Sequence, residues 1–428
     1  MEQKSFFKKS GTQVLLSSLI SILIGLIAGI VVLVVAGLLN DSIPGKSIWD
    51  GVRLVFIGVF NKGRDAAGNL IFGFNPATFG NMLFRAMPLI LTGLSVAVAY
   101  KTGLFNIGAP GQYLAGICAT LFIALSVPTS VVPAWIVWIL AFLGGILAGA
   151  LWGCIPGLLK ALLNINEVIA CIMTNWLAAC LVTWVFDISS LKNVIDGTKT
   201  GYIYKTSAII NDVVVDGVQK VVGTNIPEGA TVLATRGGVE TPKLGLDALF
   251  AGSQVNGGIL VAILLAVIFY IIMEKTTLGY QLKACGSNRH AAQYAGIPDK
   301  RNIVLSMALA GSLAGAAGSL YALSGNTEFF WTTYQSLPSV GFTGIAVALL
   351  AMNNPIGVIF SGTFMSLLSI NGLQLTNLTA YNEYITDVII AVIVYLSAFS
   401  LIIRTWLTKR RKKIKPAARE KETKEVNA

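Results

Sequence analysis

Histidine and mid-span charge are what this chain has least of. One histidine, His290, stands in 428 residues, and charged side chains make up only 12% of them. Membrane pumps and ion-coupled carriers keep ionisable groups near mid-bilayer to handle protons or ions. Here the charges nearest the apolar runs, Arg85, Glu167, Glu383 and Asp387, fall close to the expected ends of those runs. The chain also lacks a Gly-x-x-x-x-Gly-Lys-[Ser/Thr] phosphate loop, a Ser-His pair inside an apolar run and a His/carboxylate cluster. Those absences argue against a membrane enzyme and leave ion coupling without its usual relay. The five cysteines, Cys118, Cys154, Cys171, Cys180 and Cys285, include no Cys-x-x-Cys pair, so neither a disulfide framework nor a zinc site follows. They read as small packing residues in helices, with Cys285 expected to double as a labelling handle.

What the chain has is apolar length. It is 55% hydrophobic with 44 glycines, and its longest runs reach the roughly 18 to 20 residues a helix needs to cross the hydrocarbon core. Ten spans are predicted, at about 14–39, 82–100, 104–126, 132–159, 166–186, 257–274, 302–323, 338–352, 355–372 and 384–406. The formal charge of +11 gathers at the two ends, in Lys4, Lys8 and Lys9 and in the tail Lys409, Arg410, Arg411, Lys412, Lys413 and Lys415. Basic clusters that flank spans follow the positive-inside rule. They imply contact with anionic lipid rather than with nucleic acid. The first run, Val14 to Leu39, is too long for a signal peptide. The expected fold is therefore an all-α polytopic membrane protein of about ten transmembrane helices with both termini cytoplasmic. Residues 1–13 and 408–428 form cytoplasmic ends, and 14–407 the transmembrane domain. Segments 40–81 and 187–256 fall outside, the second with a Val-rich alternation that reads as short strands. Segment 275–301 falls inside. Spans two to five and seven to ten run in opposite directions, which suits an inverted repeat of two four-helix halves.

Four stretches carry the functional reading. "GLFNIGAPGQYLAG" (Gly103–Gly116) puts glycines, Pro110 and two amides inside an apolar region, where freed backbone groups need protein or a watery cavity. It reads as a broken helix beside a path, or as close small-residue packing with a proline kink. In "NINEVIACIMTNW", Asn166 is the expected N-cap and Glu167 suits the positive helix end. Thr174 and Asn175 lie deeper, so Asn106, Gln112, Thr174 and Asn175 are the candidates for a translocation path. In "SVGFTGIAVALLAMNNPIG", Asn353-Asn354-Pro355 marks a tight reversal. Just upstream, Phe329, Phe330, Trp331 and Tyr334 read as an interfacial aromatic belt. The fourth stretch interrupts two apolar runs with "EKTTLGYQLKACGSNRHAAQYAGIPDKR" (Glu274–Arg301). Ser287 is the expected N-cap of a short helix that Gly296 stops, with Pro298 just beyond. Two turns are unstable alone, so a partner is expected to hold them.

In this order, "GLFNIGAPGQ", "NEVIACIMTN", "TTLGYQLKACGSNRHAAQYAGI" and "GFTGIAVALLAMNNPIGV" resemble the permease subunits of nucleoside-type ABC importers, relatives of the ribose and branched-chain amino-acid permeases. The resemblance covers roughly residues 85–400 and is closest to the larger of two paired permeases. It implies a heterodimer with a second permease, a cytoplasmic ABC ATPase that binds ATP and Mg, and a substrate-binding lipoprotein outside. This chain itself would hold no cofactor, and the setting would be a bacterial cell membrane. By the same resemblance, Gly286, Asn288, Ala291, Ala292 and Gly296 match a coupling helix that fits a groove on the ATPase. Where many relatives carry an acidic residue, this chain has Pro110. Ribose, other sugars or branched-chain amino acids are alternative cargoes, and an ion-coupled secondary transporter is the alternative mechanism.

Overall fold

The apolar runs become helices, several of them headed by proline or asparagine (Pro44, Asn75, Pro133, Asn166, Pro298 and Pro338), and the elements follow in this order. They are α1 (Ser10–Leu38), α2 (Gly45–Ile57), strands β1 (Asn61–Arg64) and β2 (Leu70–Phe72), α3 (Pro76–Lys101), α4 (Ala109–Ser126), α5 (Ala134–Leu163) and α6 (Glu167–Ile188). Strands β3 (Asp212–Val215) and β4 (Val218–Val221) follow, then α7 (Leu246–Leu249), α8 (Gly258–Lys275), α9 (Thr277–Ser287) and α10 (Arg289–Tyr294). Last come α11 (Asp299–Ala322), α12 (Ser339–Leu350), α13 (Pro355–Leu378) and α14 (Glu383–Ser397). This computed structural model describes residues 10–129, 131–189, 191, 198, 200, 212–215, 218–221, 239–326, 329–331 and 337–397. The basic tail, Tyr334 and most of 187–256 lie outside the described residues.

Among the described residues seven helices (α3, α4, α5, α6, α8, α11 and α13) are long and apolar enough to cross a membrane. Three shorter apolar helical stretches are Leu23–Leu38, Ser339–Leu350 and Tyr384–Ile393. The chain is a polytopic α-helical membrane protein. Its helices differ from the sequence expectation at several limits. The second begins at Pro76, where Asn75 accepts a hydrogen bond from Thr78 N (3.3 Å), not at 82. The third begins at Ala109, not 104. Segment 40–81 is structured, with α2 and the antiparallel pair β1–β2. The α12 helix has 12 residues, about 18 Å against a hydrocarbon core of about 30 Å.

By contacts the chain forms two units. One holds the described parts of Met1–Phe74 and Leu368–Ala428. In it Gly25 and Gly29 of α1 lie against Ile393 and Ile389 of α14, and Tyr381 Oη donates to Leu33 O (2.8 Å). The buried Asp50 carboxylate on α2 meets Arg64 Nη2 on β1 at 2.8 Å. A buried carboxylate without such a partner would carry a large desolvation cost, so this pair ties β1 to α2.

The other unit is Asn75–Leu367, and its centre is the α5–α11 pair. Gly145, Gly149, Gly153 and Gly157 recur every fourth residue along α5 and meet Met307, Gly311, Gly315 and Ser319 of α11. A Cβ on Gly149 would lie 2.7 Å from Gly315 Cα, so the two backbones touch. In lipid no hydrophobic force pulls helices together, and small residues that permit close approach supply the attraction instead. Thr120 Oγ1 on α4 donates to Ser319 Oγ (2.8 Å) and brings α4 onto the same seam.

In this unit the Asn166 cap and the Asn353-Asn354-Pro355 reversal hold as the sequence predicts, while the aromatic belt is corrected at two positions. Asn166 caps α6 by accepting from Val168 N (2.9 Å), with Glu167 in the first turn and 2.9 Å from Lys160. Met352 and Asn353 take left-handed φ values of 51° and 57° at the reversal before α13, where Asn354 Oδ1 accepts from Ile356 N (3.0 Å). The aromatic belt is corrected at Phe329 and Trp331, whereas Phe330 is exposed and Tyr334 lies outside the described residues. Phe329 and Trp331 are buried, and Phe329 packs on Phe186 with ring centroids 5.5 Å apart. An apolar ring gains more from the packed interior than from the interface when a buried partner is within reach.

Candidate functional site: a buried amide knot and a capped turn

The α3 helix ends at Lys101, and Gly103 takes φ +74°, a conformation that glycine adopts without a Cβ penalty. The chain then runs without helix to Gly108. Pro110 sits in the first turn of α4, where a helix leaves its N–H unpaired in any case. Pro110 therefore starts a helix rather than kinking one. Gly341 of α12 lies directly on it, with a Cβ there coming 2.7 Å from Pro110 Cα.

Non-helical backbone at membrane depth must be satisfied by protein or water. Asn106 Oδ1 accepts from Gly108 N (3.1 Å) and Gln112 Nε2 (3.1 Å), while its Nδ2 donates to Gln112 Oε1 (2.8 Å) and Ser95 Oγ (3.0 Å). Asn175 Oδ1 accepts from Gly111 N (2.9 Å), and Asn175 Nδ2 donates to Ile107 O (2.9 Å). These amides are closed in, at 0% exposure for Asn106 and 1% for Gln112 and Asn175. The structure thus brings three of the four path candidates together around residues 105–111, each bonded within this one chain. The fourth, Thr174, donates its hydroxyl to Cys171 O (3.0 Å) of its own helix. An apolar floor of Ala99, Leu104, Ala161, Cys171, Ile303 and Met307 packs alongside.

The second site is the polar segment after α8. Thr276 caps α9 through Gly279 N (3.2 Å), an eleven-residue helix that precedes the short helix expected from the sequence. Ser287 is its last residue. The N-cap of α10 is Asn288, which is extended (φ −157°) and accepts from Ala291 N (3.0 Å). This corrects Ser287 by one position, and both residue types cap for the same reason. Gly296 ends the turn at φ +77°, with Ile297 N bonded to Ala292 O (3.0 Å). The six-residue α10 is held by this chain itself, through Arg289 Nε to Asp299 Oδ2 at 2.6 Å and through the buried Ala292.

The five residues matching a coupling helix divide by role. Asn288 caps, Gly296 stops, Ala292 packs inward and Gly286 is partly buried, which leaves Ala291 as an exposed side chain. Beside it Tyr294 is 95% exposed. Tyrosine is a common anchor at interfaces, and its position in "NRHAAQY" was a legible signal that the sequence reading passed over.

The two sites touch. A Cβ on Gly286 would meet Lys101 O and lie 2.8 Å from Thr102 C and 2.9 Å from Gly103 N. Ser306 of α11 donates to Thr102 Oγ1 at 2.6 Å, and Asn302 Nδ2 lies 3.6 Å from Cys285 Sγ. The loop that opens the helix break is gripped by α9 on one side and α11 on the other. Cys285 is consequently buried, which removes it as a labelling handle. Among the described residues no three His, Cys, Asp or Glu side chains gather as a metal site would need.

A membrane bundle with an internally satisfied helix break, beside a short capped turn that is exposed, has the build of a transporter's membrane subunit. Residues 78–398 match the family described as branched-chain amino acid transport system, permease component, and the chain belongs to that family. It is 33% identical over 399 residues to the guanosine ABC transporter permease protein NupP of Bacillus subtilis (strain 168), covering 93% of this chain and 97% of that one. It is 34% identical to the nucleoside ABC transporter permease protein NupB of Lactococcus lactis subsp. cremoris (strain MG1363), covering 93% and 94%. The glucose ABC transporter permease protein TsgB13 of Haloferax volcanii is 33% identical, with 75% and 76% covered. No solved structure matches. The protein is an ABC transporter permease subunit, a transport component and not an enzyme.

Proposed function

We propose that this chain forms one half of a nucleoside path in an ATP-driven importer of a bacterial cell membrane. A second permease supplies the other half, a cytoplasmic ATPase binds ATP and Mg, and an external lipoprotein delivers the cargo. The observation that carries the mechanism is the seating of Gly286 on the Lys101–Gly103 loop. Movement of the α9–α10 segment presses on the loop that leads into the broken helix. Ala291 and Tyr294 meet the ATPase, while Gly286, Asn288, Ala292 and Gly296 hold the segment in shape. Asn106, Gln112 and Asn175 act on the path by fixing the wall formed by residues 105–111, and Thr174 lies behind that wall. Nucleoside as cargo is supported by the NupP and NupB likeness across 93% of the chain. Glucose or another sugar is the second reading, favoured by TsgB13. The matching topology has ten crossings, with both termini and α9–α10 cytoplasmic. The short α12 completes its crossing with the non-helical residues beside it, and two four-helix halves are related by an inverted repeat.

The test is uptake into vesicles carrying the whole complex, with ATP inside and ion gradients collapsed by ionophores. Labelled guanosine or another nucleoside should enter only with ATP and be competed by nucleosides, not by glucose, ribose or leucine. Uptake that persists without ATP and disappears with the ionophore would overturn the mechanism. ATP-dependent uptake competed only by sugar would overturn the cargo alone.

A further inference from the structure

At the end of the bundle where α5 finishes and α11 starts, Cys154 and Leu162 of α5 face Val304, Leu305 and Ala308 of α11 across an open groove of about 430 Å3. Lys300 and Arg301, in the first turn of α11, line the same groove and are exposed. Three other cations on neighbouring elements are neutralised, Lys160 by Glu167 at 2.9 Å, Lys283 by Glu274 at 3.0 Å and Arg289 by Asp299 at 2.6 Å. That last pair takes the carboxylate next to Lys300 in sequence. Among the described residues Lys300 and Arg301 form no ion pair.

The groove therefore joins two uncompensated positive charges to an apolar trough about 10 Å long, the rise of α11 from Arg301 to Ala308. A small soluble anion would use the charges and leave the trough to water. A neutral acyl chain would use the trough and leave the charges unpaired. An amphiphile with an anionic phosphate head satisfies both, as basic pockets between membrane helices do. We propose that the groove is a binding site for an anionic phospholipid, with its phosphate on Lys300 and Arg301 and one acyl chain against α5 and α11. The cations' aliphatic stems would line the upper trough while their charged ends stay with the headgroup. The proposal requires only that the chain spans a membrane and is independent of the cargo.

The experiment is native mass spectrometry of the whole detergent-purified complex, titrated with phosphatidylglycerol or with phosphatidylcholine of the same chains. The unaltered complex should retain phosphatidylglycerol preferentially. One cation near a lipid surface contributes about fivefold in affinity, so Lys300→Gln with Arg301→Gln should lower phosphatidylglycerol binding about thirtyfold and leave phosphatidylcholine unchanged. Ala308→Trp, which fills the trough and keeps both charges, should also lower phosphatidylglycerol binding. Undiminished binding in the double-charge variant would overturn the proposal. So would equal competition by soluble glycerol phosphate, which has the head and no chain. A cysteine at Lys300→Cys that is shielded from thiol reagents by the ATPase and not by lipid would assign the groove to a protein partner instead.

Discussion

The amide knot and the capped turn are built from the same kinds of residue and behave in opposite ways. Asn106 and Asn175 spend their side chains on backbone inside one chain, at almost no exposure. Asn288 does the same for Ala291 N at the surface, where water could replace it, and its neighbour Tyr294 is left with nothing of this chain around it. In the first region a lost hydrogen bond cannot be made up, and the polar side chains hold the backbone of residues 105–111 in place. In the second it can, and the residue left over is the one free to meet a partner.

Breaking the knot should have the largest effect. Asn106→Leu leaves the Gln112 amide and Gly108 N–H without partners, at about 1–3 kcal/mol for each buried group. Thermal unfolding of the purified complex should fall by several degrees and the assembled yield should drop. An unchanged melting profile would mean that water reaches these amides, and that they face the path directly. Next comes the link between regions. Gly286→Val pushes a side chain into the Lys101–Gly103 backbone and should cut uptake at least about tenfold, a barrier change near 1.4 kcal/mol. ATPase binding, read by co-purification, should survive. Tyr294→Ala sharpens the other side of the comparison. It should weaken ATPase binding by roughly 1–2 kcal/mol, about five- to thirtyfold in Kd, as loss of an interface anchor does, with permease melting unchanged. The smallest effect is expected for Lys283→Gln. Its pair with Glu274 is about one-third exposed on both sides, which limits it to less than about 1 kcal/mol in a melting experiment.

The contrast also explains what the sequence could disclose. Caps and turns are local, so the Asn166 cap, the Asn353-Asn354-Pro355 reversal and the Gly296 stop were readable from a few residues each. Ser287 and Asn288 are both good caps in adjacent positions, and only the extended φ of Asn288 decides between them. The direction of the amides was not readable. Depth in an apolar run says that Asn106 needs a polar partner, but Gln112 and Gly108 could be recognised as that partner only once the chain had turned back on itself. The four-residue glycine repeat on α5 was present as "GGILAGALWGCIPG". What made it meaningful was the matching Gly311–Gly315 repeat more than 150 residues away, and nothing in either stretch announces the other. Buried Phe329 and Trp331 were misread because an aromatic cluster beside a span has the same composition at an interface and in a core.

The glycine seam between α5 and α11 has a mechanical consequence. Two helices held apart by long side chains are separated by a compressible layer, in which rotamers can yield to a load. Here, from Gly145 to Gly157, backbone rests on backbone, and there is little between the helices to give way. A displacement applied to the start of α11, at the Arg289–Asp299 clasp, would therefore reach α5 nearly undiminished. From the end of α5 that lies beside the start of α11 it would pass through the Asn164 bend into α6, the helix that carries Asn175. The seam works as a rigid beam: a tilt at one end must appear as a tilt at the other.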